Sequence, residues 1–302
     1  MLYPRLSIIV PSYNQGAFLE ECLLSIINQN YPRLELLVVD GGSTDESILV
    51  INKYKDHIKW WVSEKDRGQA HAINKGIEKA TGEWVGWLNS DDCYLPGAFD
   101  YIFGSLPWQN FDFIFGNSSC GFNMEEMVSY KHEEKHMASL FQILKFFYSV
   151  NHIIPSQSVF VRSSLIKKIG LLNENLDYCL DLDWFCRIFL ATERRLFYPE
   201  IQSFFRMHVQ SKSGNPLNSG WDESLSIAHK YKSELNLGMQ KKLETYISYA
   251  KWARHARRHN AGKIELIKIA FQYGAVAWEH PVFKMLIREK IDPRYKMPPL
   301  KE

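Results

Sequence analysis

Five cysteines in 302 residues, at Cys22, Cys93, Cys120, Cys179 and Cys186, form no C-x-x-C pair. That scarcity argues against a disulfide framework or a cysteine zinc site and leaves reduced thiols buried as small hydrophobes. No run approaches the roughly 18 uninterrupted apolar residues of a membrane span. The opening MLYPRLSIIVPSYN lacks the apolar core and small-residue cleavage site of a secretory signal, so the expected address is cytoplasmic. Internal repeats and low-complexity segments are also missing. The first strand–helix turn, PSYNQG, carries no glycine fingerprint, which argues against a dinucleotide-binding dehydrogenase. With 46% hydrophobic and 23% charged residues the chain can bury a sizeable core.

What is present is an alternation. Residues 6–10 (LSIIV), 34–39 (LELLVV), 58–62 (IKWWV) and 83–88 predict buried strands, each running into polar residues. Between them, apolar positions at Phe18, Cys22, Leu23, Ile26 and Ile27 predict a helix over 16–29, and others are predicted from Ser43, with Glu46 as its capping-box partner, and over 68–80. β-α-β units of this kind predict a mostly parallel sheet with helices on both faces. Later strands are expected at 111–115, 157–161 and 195–207, and an amphipathic helix at 180–191. From Trp221 onward only helices are expected, and the Ser-, Gly- and Asn-rich stretch 211–220 is the predicted boundary.

Ligands of open parallel sheets gather outside the carboxyl ends of the strands. The first strand delivers Pro11, Ser12, Tyr13 and Asn14 there. The second delivers Asp40, with Gly41, Gly42, Ser43, Thr44 and Asp45 behind it. In GEWVGWLNSDD (82–92) an apolar run breaks into Asn89, Ser90 and the adjacent carboxylates of Asp91 and Asp92. Two acids at a strand exit can hold a divalent cation through hard oxygens and so neutralise a diphosphate. The competing reading is a turn in which one Asp caps the helix that Pro96 would begin.

Five segments, SIIVPSYNQGAFLEECLLSIINQ, LELLVVDGGSTDES, SEKDRGQAHAINKGIEKATGEWVGWLNSDD, LDLDWFCRI and FRMHVQSKS, resemble in order and spacing glycosyltransferase family 2, the inverting nucleotide-sugar transferases of the GT-A fold. The resemblance covers roughly residues 5–210. It implies an α/β GT-A catalytic domain over 1–215, with a nucleotide-sugar-binding half (1–110) and an acceptor-binding half (111–215), followed by a helical extension over 216–302. It further implies that Pro11, Tyr13, Asn14, Asp40 and Ser43 line the nucleotide subsite, with Tyr13 and Asp40 on the base. Asp66, Asn74 and Lys75 would lie near ribose and diphosphate. Asp91 would meet ribose, sugar or metal. Asp92 would meet a Mn2+ or Mg2+ ion, and His208 would approach the metal. The family's base lies in a Glu-Asp pair opening a helix; here Leu180-Asp181 lacks the Glu, and Asp181 is the expected catalytic base. Asp183 lies about 200° further round a helix, beside Arg187 at i+4. The implied activity is transfer from a nucleoside-diphosphate sugar to a glycan or lipid-linked acceptor in bacterial surface-polysaccharide synthesis. The missing Glu keeps open a nucleotide-sugar- or glycan-binding module without turnover.

Two features compete with this picture. His132-Glu133-Glu134-Lys135-His136 fits the H-E-x-x-H pattern of zinc peptidases, but its charged surroundings favour a solvated segment. Residues 221–302 hold 16 Lys+Arg against 9 Asp+Glu, a balance of +7 that leaves −5 for the rest of a chain of net charge +2. The basic KWARHARRH (251–259) followed by apolar helical positions suggests either a packed helical cap or peripheral contact with the inner face of a membrane. No nucleic-acid-binding module accompanies that charge, so nucleic acid is not an expected partner.

Overall fold

The computed structural model describes residues 3–130, 133–134, 139–145, 154–208, 220–258, 268 and 272. The chain divides into two compact units, Met1–Lys135 with Ile154–Ser211, and His136–Ile153 with Lys212–Glu302. The described residues 139–145 fall in the second of these units.

The first unit is built on a sheet of order β3-β2-β1-β4-β8-β6-β9-β5, with β7 added on β6. Its strands are β1 Leu6–Ser12, β2 Leu34–Asp40, β3 Trp60–Ser63, β4 Trp84–Trp87, β5 Cys93–Tyr94, β6 Phe113–Gly121, β7 Val128–Tyr130, β8 Val159–Arg162 and β9 Arg195–Arg206. The expected parallel register holds across β3, β2, β1 and β4. Beyond β4 the sheet becomes mixed: β8 runs antiparallel to both β4 and β6, β9 runs parallel to β6, and β5 runs antiparallel to β9. Strand alternation sends successive side chains to opposite faces. Ile8, Val10, Leu36 and Val38 accordingly share a core with Leu19, Cys22, Leu23 and Ile26 of α1 (Gly16–Ile27). Ile9 instead faces α3 (Gln69–Lys79), where a Cβ on Gly76 would lie 2.4 Å from its side chain. Helices thus cover both faces of the parallel half.

Pro11 sits in β1 opposite Val39. The carbonyl of Ile9 receives the Leu88 N–H at the last step of the β1–β4 pairing. By the same alternation Pro11 faces the β4 side past its end, so its missing N–H costs no ladder bond. The predicted start of α2 at Ser43 moves to Ser47–Lys53. Ser43 is used by the preceding loop, and Asp45 takes over: its Oδ1 accepts from Ser47 N, and its Oδ2 accepts from Gly16 N at the start of α1. One carboxylate thereby ties two helix starts together. α5 (Ser163–Ile169) leads into α6 (Leu180–Ala191), whose bounds match the predicted 180–191.

β6 and β9 meet without room to spare. A Cβ at Gly116 would fall 2.1 to 2.5 Å from ring atoms of Tyr198. Tyr198 cannot swing aside, being 1% exposed with its hydroxyl donating to Ser158 C=O at 2.9 Å. Gly116→Ala should cost about 3 kcal/mol or more, the upper part of the range for overpacking a filled core. Urea unfolding of the full chain checks this; a midpoint equal to the parent's would contradict the packing.

The second unit holds α4 (Leu140–Leu144), α7 (Trp221–Tyr231) and α8 (Leu237–Arg258). Ser139 caps α4 by accepting the Gln142 N–H. Phe141 meets Tyr246 edge-on, and the Lys145 ammonium lies 4.6 Å from the Tyr246 ring centre. Among the described residues no helix is long and apolar enough to cross a membrane. The basic segment 251–270 falls mostly outside the described residues, as do His132 and His136 of the H-E-x-x-H motif.

Candidate active site

Strand order reverses between β1 and β4, because β1 leads outward to β2 while β3 leads back to β4. A crevice outside the carboxyl ends at such a switch point is where open α/β sheets bind ligands. Four loops end there.

The β1 and β2 loops are laced to each other. Asn14 takes a left-handed backbone (φ 51°), a conformation that asparagine tolerates better than most residues. Its N–H donates to Ser43 Oγ at 2.8 Å and its Oδ1 accepts from Thr44 N at 2.9 Å. Asp40 has no exposed surface. Its Oδ2 accepts from Gly42 N (3.0 Å), Ser43 N (2.9 Å) and Ser63 Oγ (2.6 Å), and its Oδ1 accepts from Ser43 Oγ (2.5 Å). Gly42, at φ +85°, makes the turn that lets this happen. Asp40 thus organises the loop that closes β2 from a buried position. Pro11, buried in β1, and Asn14 and Ser43, tied to each other, likewise shape the loop wall.

Tyr13, by contrast, is 61% exposed and presents its ring. Beside it lies Asp66. One Asp66 oxygen, Oδ1, accepts from Gly68 N at 2.9 Å. The other, Oδ2, is 2.7 Å from where a Cβ on Gly41 would stand, and Tyr13 Cδ2 is 3.2 Å from the same point. Gly41 is glycine because an aromatic ring and a carboxylate already fill its side-chain space.

The acid pair sits at the exit of β4. Asp92 is fully buried, with Oδ1 accepting the Arg206 N–H (2.9 Å) and Oδ2 accepting from Asn89 Nδ2 (3.3 Å). Asn89 Oδ1 in turn accepts from Gln69 Nε2 at the first turn of α3. Asp91 Oδ2 lies 2.9 Å from His208 Nε2, and the His208 ring packs 4.7 Å from Phe18. Burial and the charge of Asp91 push the Asp92 carboxyl well above the usual carboxylate range. A cation would relieve that penalty, and hard oxygens with an imidazole at their edge suit Mn2+ or Mg2+. Among the described residues no three His, Cys, Asp or Glu side chains converge to hold a metal ion unaided. Any cation here would draw further oxygens from its ligand and from water. The nearby thiols are inert: burial pushes Cys22 up, and Cys93 to about 12.

Asn74 and Lys75 stand apart from this set. Asn74 is 4% exposed; its Nδ2 donates to Leu172 C=O (3.0 Å) and its Oδ1 accepts from Leu172 N (2.9 Å). It braces the loop before α6. Lys75 is paired with Glu64 at 2.7 Å. The loop that Asn74 braces also carries Glu174, which receives Arg67 Nε at 3.0 Å and Asn74 Nδ2 at 3.2 Å. A cleft of about 160 Å³ opens between Arg67–Ala70 and Glu174–Asp177.

At the start of α6 the two candidate acids separate as their spacing predicts. Asp183 is 2% exposed and bonded to Arg187 Nε at 3.0 Å. Arg187 Nη1 holds the carbonyls of Ile169 and Leu171, so this pair is an anchor. Asp181 is half-buried in the first turn, with Oδ1 accepting from Leu182 N at 2.7 Å. Glu174 and Arg206 had no local signal in the sequence, because each gains its role from a partner more than 100 residues away.

The sequence model of the glycosyl transferase family 2 matches residues 7–169. An uncharacterized glycosyltransferase of Rickettsia typhi is 31% identical over 227 residues, covering 71% of this chain and 68% of that protein. The GalNAc(5)-diNAcBac-PP-undecaprenol beta-1,3-glucosyltransferase of Campylobacter jejuni is 34% identical over 118 residues, 38% of each chain. Among solved structures, Staphylococcus aureus TarS 1-349 in complex with UDP-GlcNAc superposes with a TM-score of 0.64 at 16% identity, covering 95% of this chain and 87% of that one. The mannosyltransferase PcManGT of Pyrobaculum calidifontis, in complex with GDP-Man and Mn2+, gives 0.57 at 18% identity, covering 96% and 85%. These likenesses establish the GT-A fold, and the sequence match over more than half its length shows that this chain belongs to glycosyltransferase family 2.

Proposed function

We propose that the protein is an inverting, divalent-metal-dependent transferase that moves a sugar from a nucleoside-diphosphate sugar to a hydroxyl of a glycan or lipid-linked glycan, in bacterial surface-polysaccharide synthesis. What supports this is that Tyr13, Asp66 and the Asp91–Asp92 pair follow the carboxyl ends of β1, β3 and β4 on either side of one switch point, with Asp181 in the first turn of α6. The Campylobacter relative acts on an undecaprenol-linked glycan, which supports the acceptor class.

Tyr13 offers a flat apolar face on which a base can stack. Asp66 Oδ2 offers an acceptor to an N–H or hydroxyl beside it. Asp92 and Asp91 would hold the cation, with His208 beside them. When bound, the cation supplies Lewis-acid stabilisation of the negative charge that collects on the departing diphosphate. Asp181 receives the proton of the acceptor hydroxyl as the oxygen attacks the anomeric carbon from the face opposite the leaving group. A single displacement inverts that centre. The cleft between the start of α3 and residues 174–177 adjoins the segment leading to α6 and suits the acceptor or the transferred sugar.

Nucleoside diphosphate release from a panel of nucleotide sugars, with and without lipid-linked glycans, tests the reaction. Proton NMR of the first product tests its stereochemistry. Retention of the donor's anomeric configuration, or donor binding without release across the panel, would overturn this reading. A more local expectation concerns Gly41. Gly41→Ala should push Asp66 and Tyr13 apart and weaken nucleotide binding about ten- to a hundredfold, the worth of a hydrogen bond to a charged group. Calorimetric titration of the nucleotide that binds the parent protein checks this; unchanged affinity would remove the Tyr13–Asp66 pair from the donor site.

A further inference from the structure

We propose that Arg206 is a positioning residue for the Asp91–Asp92 pair, holding both acids in the arrangement a divalent cation needs. The inference rests on the metal-dependent reading above.

Arg206 ends β9 and is 6% exposed, yet it grips the acidic turn at several points. Its backbone N–H donates to Asp92 Oδ1 at 2.9 Å, and its Nε donates to the Asp91 carbonyl at 2.9 Å. Nη2 reaches the Glu21 carboxylate on α1 at 2.6 Å and lies 3.8 Å from Cys93 Sγ. The guanidinium carbon sits 5.2 Å from the Phe18 ring centre and 5.4 Å from that of Phe204. Two strands and a helix are thus joined at one planar cation, whose fork fixes the turn more tightly than a point charge could. The backbone bond occupies one Asp92 oxygen and so orients the carboxylate. The side chain places a positive charge beside two carboxylates that otherwise repel. Two residues on, the same strand end sets His208 against Asp91. Groups that orient metal-binding side chains in this way typically hold ten- to a hundredfold in metal affinity.

The test is Mn2+ binding, read from loss of the free-ion electron paramagnetic resonance signal. It uses the full chain, with Mn2+ alone and with UDP or GDP added. Arg206→Lys should raise the Mn2+ dissociation constant about 10- to 100-fold. Glu21→Gln, which replaces the ion pair at the outer end of the guanidinium with a neutral hydrogen bond at a half-exposed site, should raise it severalfold. A merely structural Arg206 would lower the melting temperature and leave Mn2+ affinity of the folded protein unchanged, which overturns the proposal. Should Arg206→Lys fail to fold, Glu21→Gln decides: parental Mn2+ affinity in that variant refutes the positioning role. Asp92→Asn separates the two levels. If it too binds Mn2+ like the parent, or the parent binds none, the metal site itself is misassigned. If only Asp92→Asn loses Mn2+, the metal site stands and the role of Arg206 falls.

Discussion

Asp181→Asn is expected to bind donor nucleotide within about twofold of the parent and to transfer sugar about 10²- to 10⁴-fold more slowly, the usual contribution of a general base. Asparagine keeps the size of the side chain and can still accept the Leu182 N–H, so the first turn of α6 should survive. What it loses is the basic oxygen. Asp183→Asn should behave in the opposite sense. It loosens the buried pair with Arg187 and, through Arg187, the carbonyls of Ile169 and Leu171, so stability falls while the folded enzyme keeps its rate. Single-turnover transfer and thermal unfolding of both variants distinguish the roles. A rate loss in Asp183→Asn with full transfer in Asp181→Asn would exchange them.

Asn74→Ala is expected to destabilise the protein by about 2–5 kcal/mol. The substitution leaves both the N–H and the C=O of Leu172 buried without partners, and each such orphan costs about 1–3 kcal/mol. Asn74→Asp should fare little better, since a carboxylate cannot donate to Leu172 and repels Glu174. The damage should spread to the loop that leads into α6, so kcat falls more than donor affinity. Denaturant unfolding together with steady-state kinetics measures both. Parental stability with a raised donor KM would support the donor-site role of Asn74 and contradict the bracing role.

How much of this was legible in the sequence follows from the range of the interactions. The strand–helix alternation of 6–88 and the 180–191 helix rest on periodicity within a dozen residues, and both stand in the structure. The i,i+4 spacing of Asp183 and Arg187 was equally readable. Ser43 was misread because its hydroxyl serves Asp40 and Asn14 and not a helix N-terminus, a choice made by the neighbouring loop. Asn74 finds Leu172 98 residues away, and Arg206 finds Glu21 185 residues away. No spacing rule reaches that far. The mixed half of the sheet was hidden for the same reason: β8, β6 and β9 are strands by local pattern, but their directions follow from long connections. The grouping of 139–145 with the C-terminal helices is a property of three dimensions alone.

The proposed nucleotide subsite shows the same division. Tyr13 and the acid pair announce themselves by their side-chain chemistry at strand ends. Gly41 matters only because Tyr13 and Asp66 crowd it from two other loops. A sequence supplies the parts of such a pocket, while the packing decides which of them face the ligand.

The central claim is that the acids at the exit of β4 hold a cation jointly with a nucleoside diphosphate, since among the described residues no three His, Cys, Asp or Glu side chains converge to hold it alone. Calorimetric titration of the full chain with UDP and with GDP, in Mn2+ and in EDTA, addresses this directly. One of the two nucleotides should bind at least about tenfold tighter with Mn2+, and Mn2+ should gain by the same factor from that nucleotide, as linkage requires. Equal nucleotide affinity in Mn2+ and EDTA would contradict the account.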